Sequence, residues 1–228
     1  MSSIFHGSNN LSYVVSAELA VLFAEKNKAL EWGLIEWAEQ FLDPQKTFVD
    51  VGAHVGTWTI SYARKVPRVV AIEAERKNYY RLVAGVALNE LWHVECHHAA
   101  AGARHGREVT LNVGVNDWSG FGGSVENFPI NGETRPQTVT AISIDGLKLS
   151  DVGLVKIDVE GHERRVLEGM RRTLERSGNP PILLECWSDE VFTWYAEERK
   201  LTLATLEAMG YNAVPIAHWP HMLLCAHP

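Results

Sequence analysis

The run Thr47-Phe48-Val49-Asp50-Val51-Gly52-Ala53-His54-Val55-Gly56 decides how the rest of the chain is read. Its first half, short and rich in β-branched and aromatic residues, reads as a buried strand. A helical pattern begins near Thr57, so the glycines mark a tight strand-to-helix turn. Gly52 lets the backbone turn, and Gly56 lets a ligand or a helix approach with no Cβ in the way. Amides exposed at the helix start can bind a polar ligand group. A second apolar strand, Val69 to Ile72, ends at Glu73. That puts a carboxylate roughly 20 residues beyond the first glycine, where doubly wound folds grip ribose hydroxyls.

Outward from this unit the alternation continues. Lys77 to Leu88 reads as a helix, His93 to His98 as a strand, and Leu154 to Asp158 as another. A helix over about His162 to Glu175 and the strand Ile182 to Glu185 follow. Short apolar runs alternating with helices signal a parallel sheet covered on both faces. Near the end, a helix around Leu201 to Met209 precedes Tyr211–Ile216 and Met222–Ala226. The intervening His218-Trp219-Pro220 is too short for a crossover, so these strands should pair as an antiparallel hairpin. Glu108–Val113 and Gln137–Ile144 alternate apolar and polar residues, as half-exposed antiparallel strands do. The glycine-rich loop Gly114–Pro136 lies between them, and loops of that length in a compact domain are usually functional or mobile. Helix-like spacing from Ser16 to Leu42 stops at Asp43-Pro44. Residues 1–44 are therefore expected to form an N-terminal helical extension, and 45–228 the main domain with an insertion over about 106–144. The expected fold is α/β: a doubly wound, mostly parallel seven-stranded sheet with a C-terminal antiparallel hairpin and an inserted β-hairpin.

With 46% hydrophobic residues the chain can bury a substantial core. A net charge of −7 argues against a general phosphate-backbone binder, despite Arg164, Arg165, Arg171 and Arg172. Cys96, Cys186 and Cys225 show no metal-ligand spacing and read as buried free thiols of a reducing compartment. The first residues lack a signal-peptide pattern, and no apolar segment reaches membrane-spanning length. A cytoplasmic protein with no membrane partner is expected; oligomeric state is left open.

A dinucleotide site would place glycine where His54 stands, and would not place Asp50 beside a pyrophosphate. A carboxylate there suits the ammonium of a methionine moiety, directly or through water. The expected cofactor is therefore S-adenosylmethionine rather than NAD, held by Asp50, Gly52, Ala53, His54, Gly56, Glu73 and Asp158. The second constellation is Lys156-Ile157-Asp158-Val159-Glu160-Gly161-His162-Glu163, at the carboxyl end of a central strand, where ligands collect in open α/β sheets. Glu185 closes the next strand on the same rim. The plain structural alternative is that Asp158 or Glu160 caps the helix that His162 begins.

These residues resemble the FkbM family of methyltransferases. The resemblance runs from about Thr47 to Glu185 and is carried by Phe48 to Gly56, Ala71-Ile72-Glu73-Ala74, Asn78, Leu82 and Asn89, then Ser143-Ile144-Asp145. It continues through Val155 to Glu163, Leu167, Gly169 and Pro181 to Glu185. It implies a Rossmann-like class I methyltransferase fold, S-adenosylmethionine at the first glycine loop, and O-methylation of a sugar or other small metabolite. The chain departs from the family pattern at Ala74, where proline is common.

Methyl transfer needs positioning and exclusion of water, and a hydroxyl acceptor gains from a nearby base. Asp158 is the first candidate, with Glu160, His162 and Glu185 behind it. The same carboxylates could hold Mg²⁺, but strand-end carboxylates are common without a metal, and none is assigned. Three rival readings stay open: an NAD-dependent oxidoreductase, an RNA ribose 2′-O-methyltransferase, and a non-catalytic cofactor-binding module. Glycine spacing weighs against the first. The acidic charge and the missing aromatic-basic stripe weigh against the second, and Asp158 and Glu160 against the third.

Overall fold

The computed structural model describes residues 2–26, 28–115, 133–187 and 195–228. Strands β1 (Ser2–His6) and β2 (Ser12–Ser16) form a hairpin, followed by helices α1 (Ala17–Lys26) and α2 (Trp32–Ala38). Then come β3 (Thr47–Val51), α3 (Thr57–Ala63), β4 (Arg68–Glu73), α4 (Arg76–Leu88) and β5 (Val94–His98). The short β6 (Ala100–Ala101) and the long pair β7 (Arg107–Gly114) and β8 (Thr134–Ile142) follow. The second half holds β9 (Val152–Ile157), α5 (Glu163–Glu168), α6 (Arg171–Arg176), β10 (Ile182–Glu185), α7 (Ala196–Ala208), β11 (Asn212–Ile216) and β12 (Trp219–Ala226).

Seven strands form the central sheet in the order β5-β4-β3-β9-β10-β12-β11. β12 runs antiparallel to both its neighbours, while the pairs β4–β5, β3–β4, β3–β9 and β9–β10 are parallel. The order reverses between β3 and β9, which opens a crevice at their carboxyl ends. Strict alternation feeds both faces. Phe48, Val69, Ala71, Leu154 and Leu183 enter one core with α1 to α4, and Val49, Val70, Ile72, Val155, Ile157 and Leu184 enter the other with α5 to α7. The expected α/β sheet and its terminal hairpin are both present. The inserted hairpin is also seen: β7 pairs antiparallel with β8, Val109 opposite Val139, and β6 adds to β8 in parallel. Of the expected glycine-rich loop 114–136, residues 116–132 lie outside the described residues.

Three local expectations change. Residues 2–16 are a hairpin, not part of a helical extension: Tyr13 and Val15 are fully buried beside Phe23, whereas helix begins only at Ala17. Asn89, at the end of α4, accepts from Ser12 N and donates to Ser12 O, fastening this hairpin to the domain. The single helix expected over His162 to Glu175 is two. Gly169 sits against the Gly102 carbonyl, with room for no Cβ, and α6 restarts with Asp145 accepting from Thr173 N at 2.7 Å. The last hairpin turns earlier than read, at residues 217–218, with Ile216 opposite Trp219.

Candidate active site

A cavity of about 450 Å³ opens at the carboxyl ends of the parallel strands, across the switch in strand order. Of the residues singled out in the sequence, Gly52, Ala53, His54, Glu73, Asp158, Glu160, His162 and Glu185 all line it. Glu31 and Glu75, which that reading did not single out, line it too, beside Trp187, Trp219 and His221.

Two expected residues stand elsewhere. Asp50 is fully buried in the helix-covered face of β3, directly opposite Lys156 of β9. Its Oδ2 accepts from Thr59 Oγ1 at 2.6 Å and Oδ1 is 3.8 Å from Lys156 Nζ, so its contact with a ligand would run through Lys156. Paired residues of adjacent strands present their side chains to the same face, so Asp50 stands behind Lys156, which lines the cavity, and does not line it itself. Gly56 faces the α4 side chain Leu82, 2.7 Å from where its Cβ would be. Gly56 thus lets α4 approach, and it does not line the cavity. Gly52, at φ +78°, packs its α-carbon against the Asp158 carbonyl, so it joins the two halves of the switch point.

One end of the cavity is built by backbone donors. Glu73 accepts from His54 N and Glu75 N, each at 2.8 Å, and Glu75 Oε2 accepts from Asn78 N at 2.7 Å to cap α4. Glu75 Oε1 is buried with no hydrogen-bond partner. Burial pushes Glu73 up to about 7, against the pull of its two backbone bonds.

The other end is built by charges. Lys156, 3% exposed, donates to Gly52 O at 2.9 Å and lies 3.0 Å from Asp158 Oδ2. Burial would weaken this cation, but Asp158, Asp50 and Glu31 hold its proton on. Burial disfavours the Asp158 anion too, yet Lys156 keeps it below the ordinary carboxylate range. Oxygens of Asp158, Glu160 and Glu185 lie within 4.8 Å of one another. Burial and the Asp158 charge push Glu160 up to about 9 and Glu185 well above its usual value. The helix after this cluster starts at Glu163, which accepts from Gly161 N at 2.9 Å and from Tyr195 OH at 2.8 Å, and its N-cap residue His162 makes no side-chain cap bond. Asp158 and Glu160 are thus not used as caps. Glu31 enters from the segment between α1 and α2, in left-handed backbone (φ 57°), and accepts from the buried Trp58 Nε1 at 2.8 Å. His54 and Glu160 adopt the same uncommon conformation, and such strained positions concentrate at functional sites. Nothing in a linear reading marks Glu31, because its neighbours in space are far away in sequence.

The sequence matches the methyltransferase FkbM domain over residues 50–212. The chain belongs to the FkbM methyltransferase family. Among solved structures, this FkbM-family chain is similar to methyltransferase FkbM from Methylobacillus flagellatus, at 20% identity and TM-score 0.54 over 81% of this chain and 44% of that one. It spans less than half of that relative. A precorrin-6y C5,15-methyltransferase from Geobacter metallireducens aligns at 11% identity and TM-score 0.51, covering 93% of this chain and 90% of that one. A TehB-like SAM-dependent methyltransferase from Corynebacterium glutamicum aligns at 9% and 0.50, covering 92% and 93%. At these identities the likeness concerns the fold. No curated protein matches the sequence significantly.

Among the described residues no helix is long and apolar enough to cross a membrane. The three cysteines are free. Two of the four arginines noted above are engaged: Arg164 pairs with Glu198 and Glu168, and Arg165 with Glu168.

Proposed function

We propose that this chain transfers a methyl group from S-adenosylmethionine to a hydroxyl of a small acceptor, a sugar or other metabolite. The observation that carries the reading is the crevice itself: a glycine turn and a pair of buried carboxylates at one end, a cluster of acids at the other. The residues fit the cofactor. Glu73 keeps a free lone-pair site on each oxygen and Glu75 keeps a whole oxygen, enough acceptors for two ribose hydroxyls. Gly52, Ala53 and His54 would flank the same group, and the excess of carboxylates suits a ligand with two positive centres. Bound there, the cofactor supplies a sulfonium methyl group that is already electrophilic.

The chain's own residues do the rest. Glu31, Trp187, Trp219 and His221 complete the wall on the acid-cluster side, where an acceptor can be oriented and water excluded. Asp158 was the first candidate base, but its ion pair with Lys156 makes it a weak one. Glu160 and Glu185 hold protons more tightly, so either becomes the stronger base once its proton has left. No metal enters this reading, because Lys156 already supplies the cation facing Asp158.

The test is calorimetric. S-adenosylhomocysteine should bind the wild-type chain, and Glu75→Gln should weaken binding by about 1.5–3 kcal/mol, the range for a lost charge-assisted bond. Unchanged affinity in both Glu75→Gln and Glu73→Gln would remove the ribose assignment.

A further inference from the structure

The acid cluster is crowded beyond what its cation can neutralise. Three carboxyl groups converge within 4.8 Å, from the end of β9, the turn after it and the end of β10. The charged and titratable groups facing them are Glu31 before α2, Asp50 on β3, His54 in the glycine turn, Lys156 on β9, Glu163 on α5 and His221 on β12. Lys156 is divided between Asp50 and Asp158. Carboxylates this close cannot all be ionised, so the group keeps a proton. A second observation points to a ligand. Glu185 is only 9% exposed and hydrogen-bonds to Asp158, yet its Oε2 has no hydrogen-bond partner while the residue lines the cavity. A buried carboxyl oxygen left in that state awaits a positive or proton-bearing group.

We propose that Asp158, Glu160 and Glu185 share one proton, which they release when a sulfonium ligand enters the cavity and regain from the acceptor hydroxyl on methyl transfer. The inference rests on the function proposed above. The raised proton affinity of Glu160 and Glu185 beside an ionised Asp158 is in line with a cluster that keeps a proton to release. A carboxyl that is protonated at rest is no base. A cation arriving within about 5 Å lowers its proton affinity by about a hundredfold at the effective dielectric of a protein site, which frees it to act. In the transfer the acceptor's O–H bond breaks as the new C–O bond forms. The C–S electron pair stays on sulfur, which becomes a neutral thioether, and the proton goes to the carboxylate cluster. One positive charge leaves the sulfur and one appears on the carboxyls, so the buried charge stays constant throughout.

The experiment needs no acceptor. S-adenosylmethionine and S-adenosylhomocysteine are titrated calorimetrically into the full chain at pH 7.0, where ordinary α-amino groups are still mostly protonated. Each titration is repeated in buffers of different ionisation enthalpy, so that protons are counted. The sulfonium ligand should release at least half a proton more than the thioether. Its affinity relative to the thioether should rise towards tenfold per pH unit, the slope for one proton released. Glu160→Gln and Glu185→Gln should each abolish the difference, so either variant suffices if the other folds poorly. Equal proton counts for both ligands would overturn the proposal, as would a difference that survives in the variants. Failure of both ligands to bind would instead overturn the methyltransferase reading and the proposal with it.

Discussion

The two ends of the cavity bury carboxyl groups by different means. At the Glu73–Glu75 end, backbone N–H groups of the glycine turn and of α4 supply donors, so the carboxyls are positioned by the chain's path. At the Asp158–Glu185 end the partners are one lysine and the other acids. On the function proposed above, backbone donors, fixed and neutral, suit recognition, and mutually dependent charges, which respond to whatever enters, suit chemistry.

The comparison can be broken at the lysine. Lys156→Met should destabilise the fold by about 3–5 kcal/mol in denaturant titration, the usual cost of leaving a buried partner charge uncompensated. It should also abolish S-adenosylhomocysteine binding, because Gly52 O loses its donor. A variant of near wild-type stability would mean that the acids already hold enough protons to stand alone.

Gly52→Val tests how far the two ends depend on one joint. A side chain there meets backbone (the Asp158 carbonyl, 1.7 Å from an added Cβ) rather than open cavity. Left-handed strain of about 1–3 kcal/mol adds to a similar cost for displaced neighbours. Stability and ligand affinity should therefore fall together. Binding lost at full stability would place the ligand, not Asp158, against this glycine.

The acids also set a pH dependence. Glu73 and Glu163 are each pushed up to about 7 in the fold, chiefly by burial. A carboxyl raised in this way stabilises the native state fully below its unfolded value and loses that contribution as pH rises through 7. The ligand-free chain should thus lose stability between about pH 4.5 and 7, by up to about 3 kcal/mol for each group. Glu163→Gln should flatten the curve measured by urea midpoints. A profile that rises over that window would contradict the assignment.

The smallest effect is expected far from both ends. Asp145→Ala removes the group that caps α6, at a cost of about 0.5–2 kcal/mol. Ligand binding should be unchanged, so this variant calibrates the others. A loss of affinity would mean that the ends communicate through α5 and α6.

Most of the recognition end is legible in the sequence, because a strand, a glycine turn and Glu73 follow one another locally. Asp50 adjoins the turn in sequence, but its carboxylate is held by Thr59 behind Lys156, a depth that proximity along the chain does not reveal. The chemical end is legible as a set of residues but not as an electrostatic arrangement, since Lys156 meets Asp50 only through the pairing of β3 with β9. The hairpin over residues 2–16 escaped because its strands are short, and what fixes them is tertiary: Tyr13 and Phe5 against Phe23. The break at Gly169 has the same character, being decided by a carbonyl from Gly102.

The fastening of Ser12 to Asn89 spans 77 residues and has a bearing on how the chain reaches this shape. The hairpin cannot dock until α4 exists, and Gly33 cannot meet Trp219 until the last strand is in place. Contacts of such wide sequence separation slow folding, because loop entropy is lost before they form. Phe5, Tyr13 and Phe23 must meanwhile wait without the rest of their core, so during synthesis this aromatic segment is the one most in need of protection from aggregation.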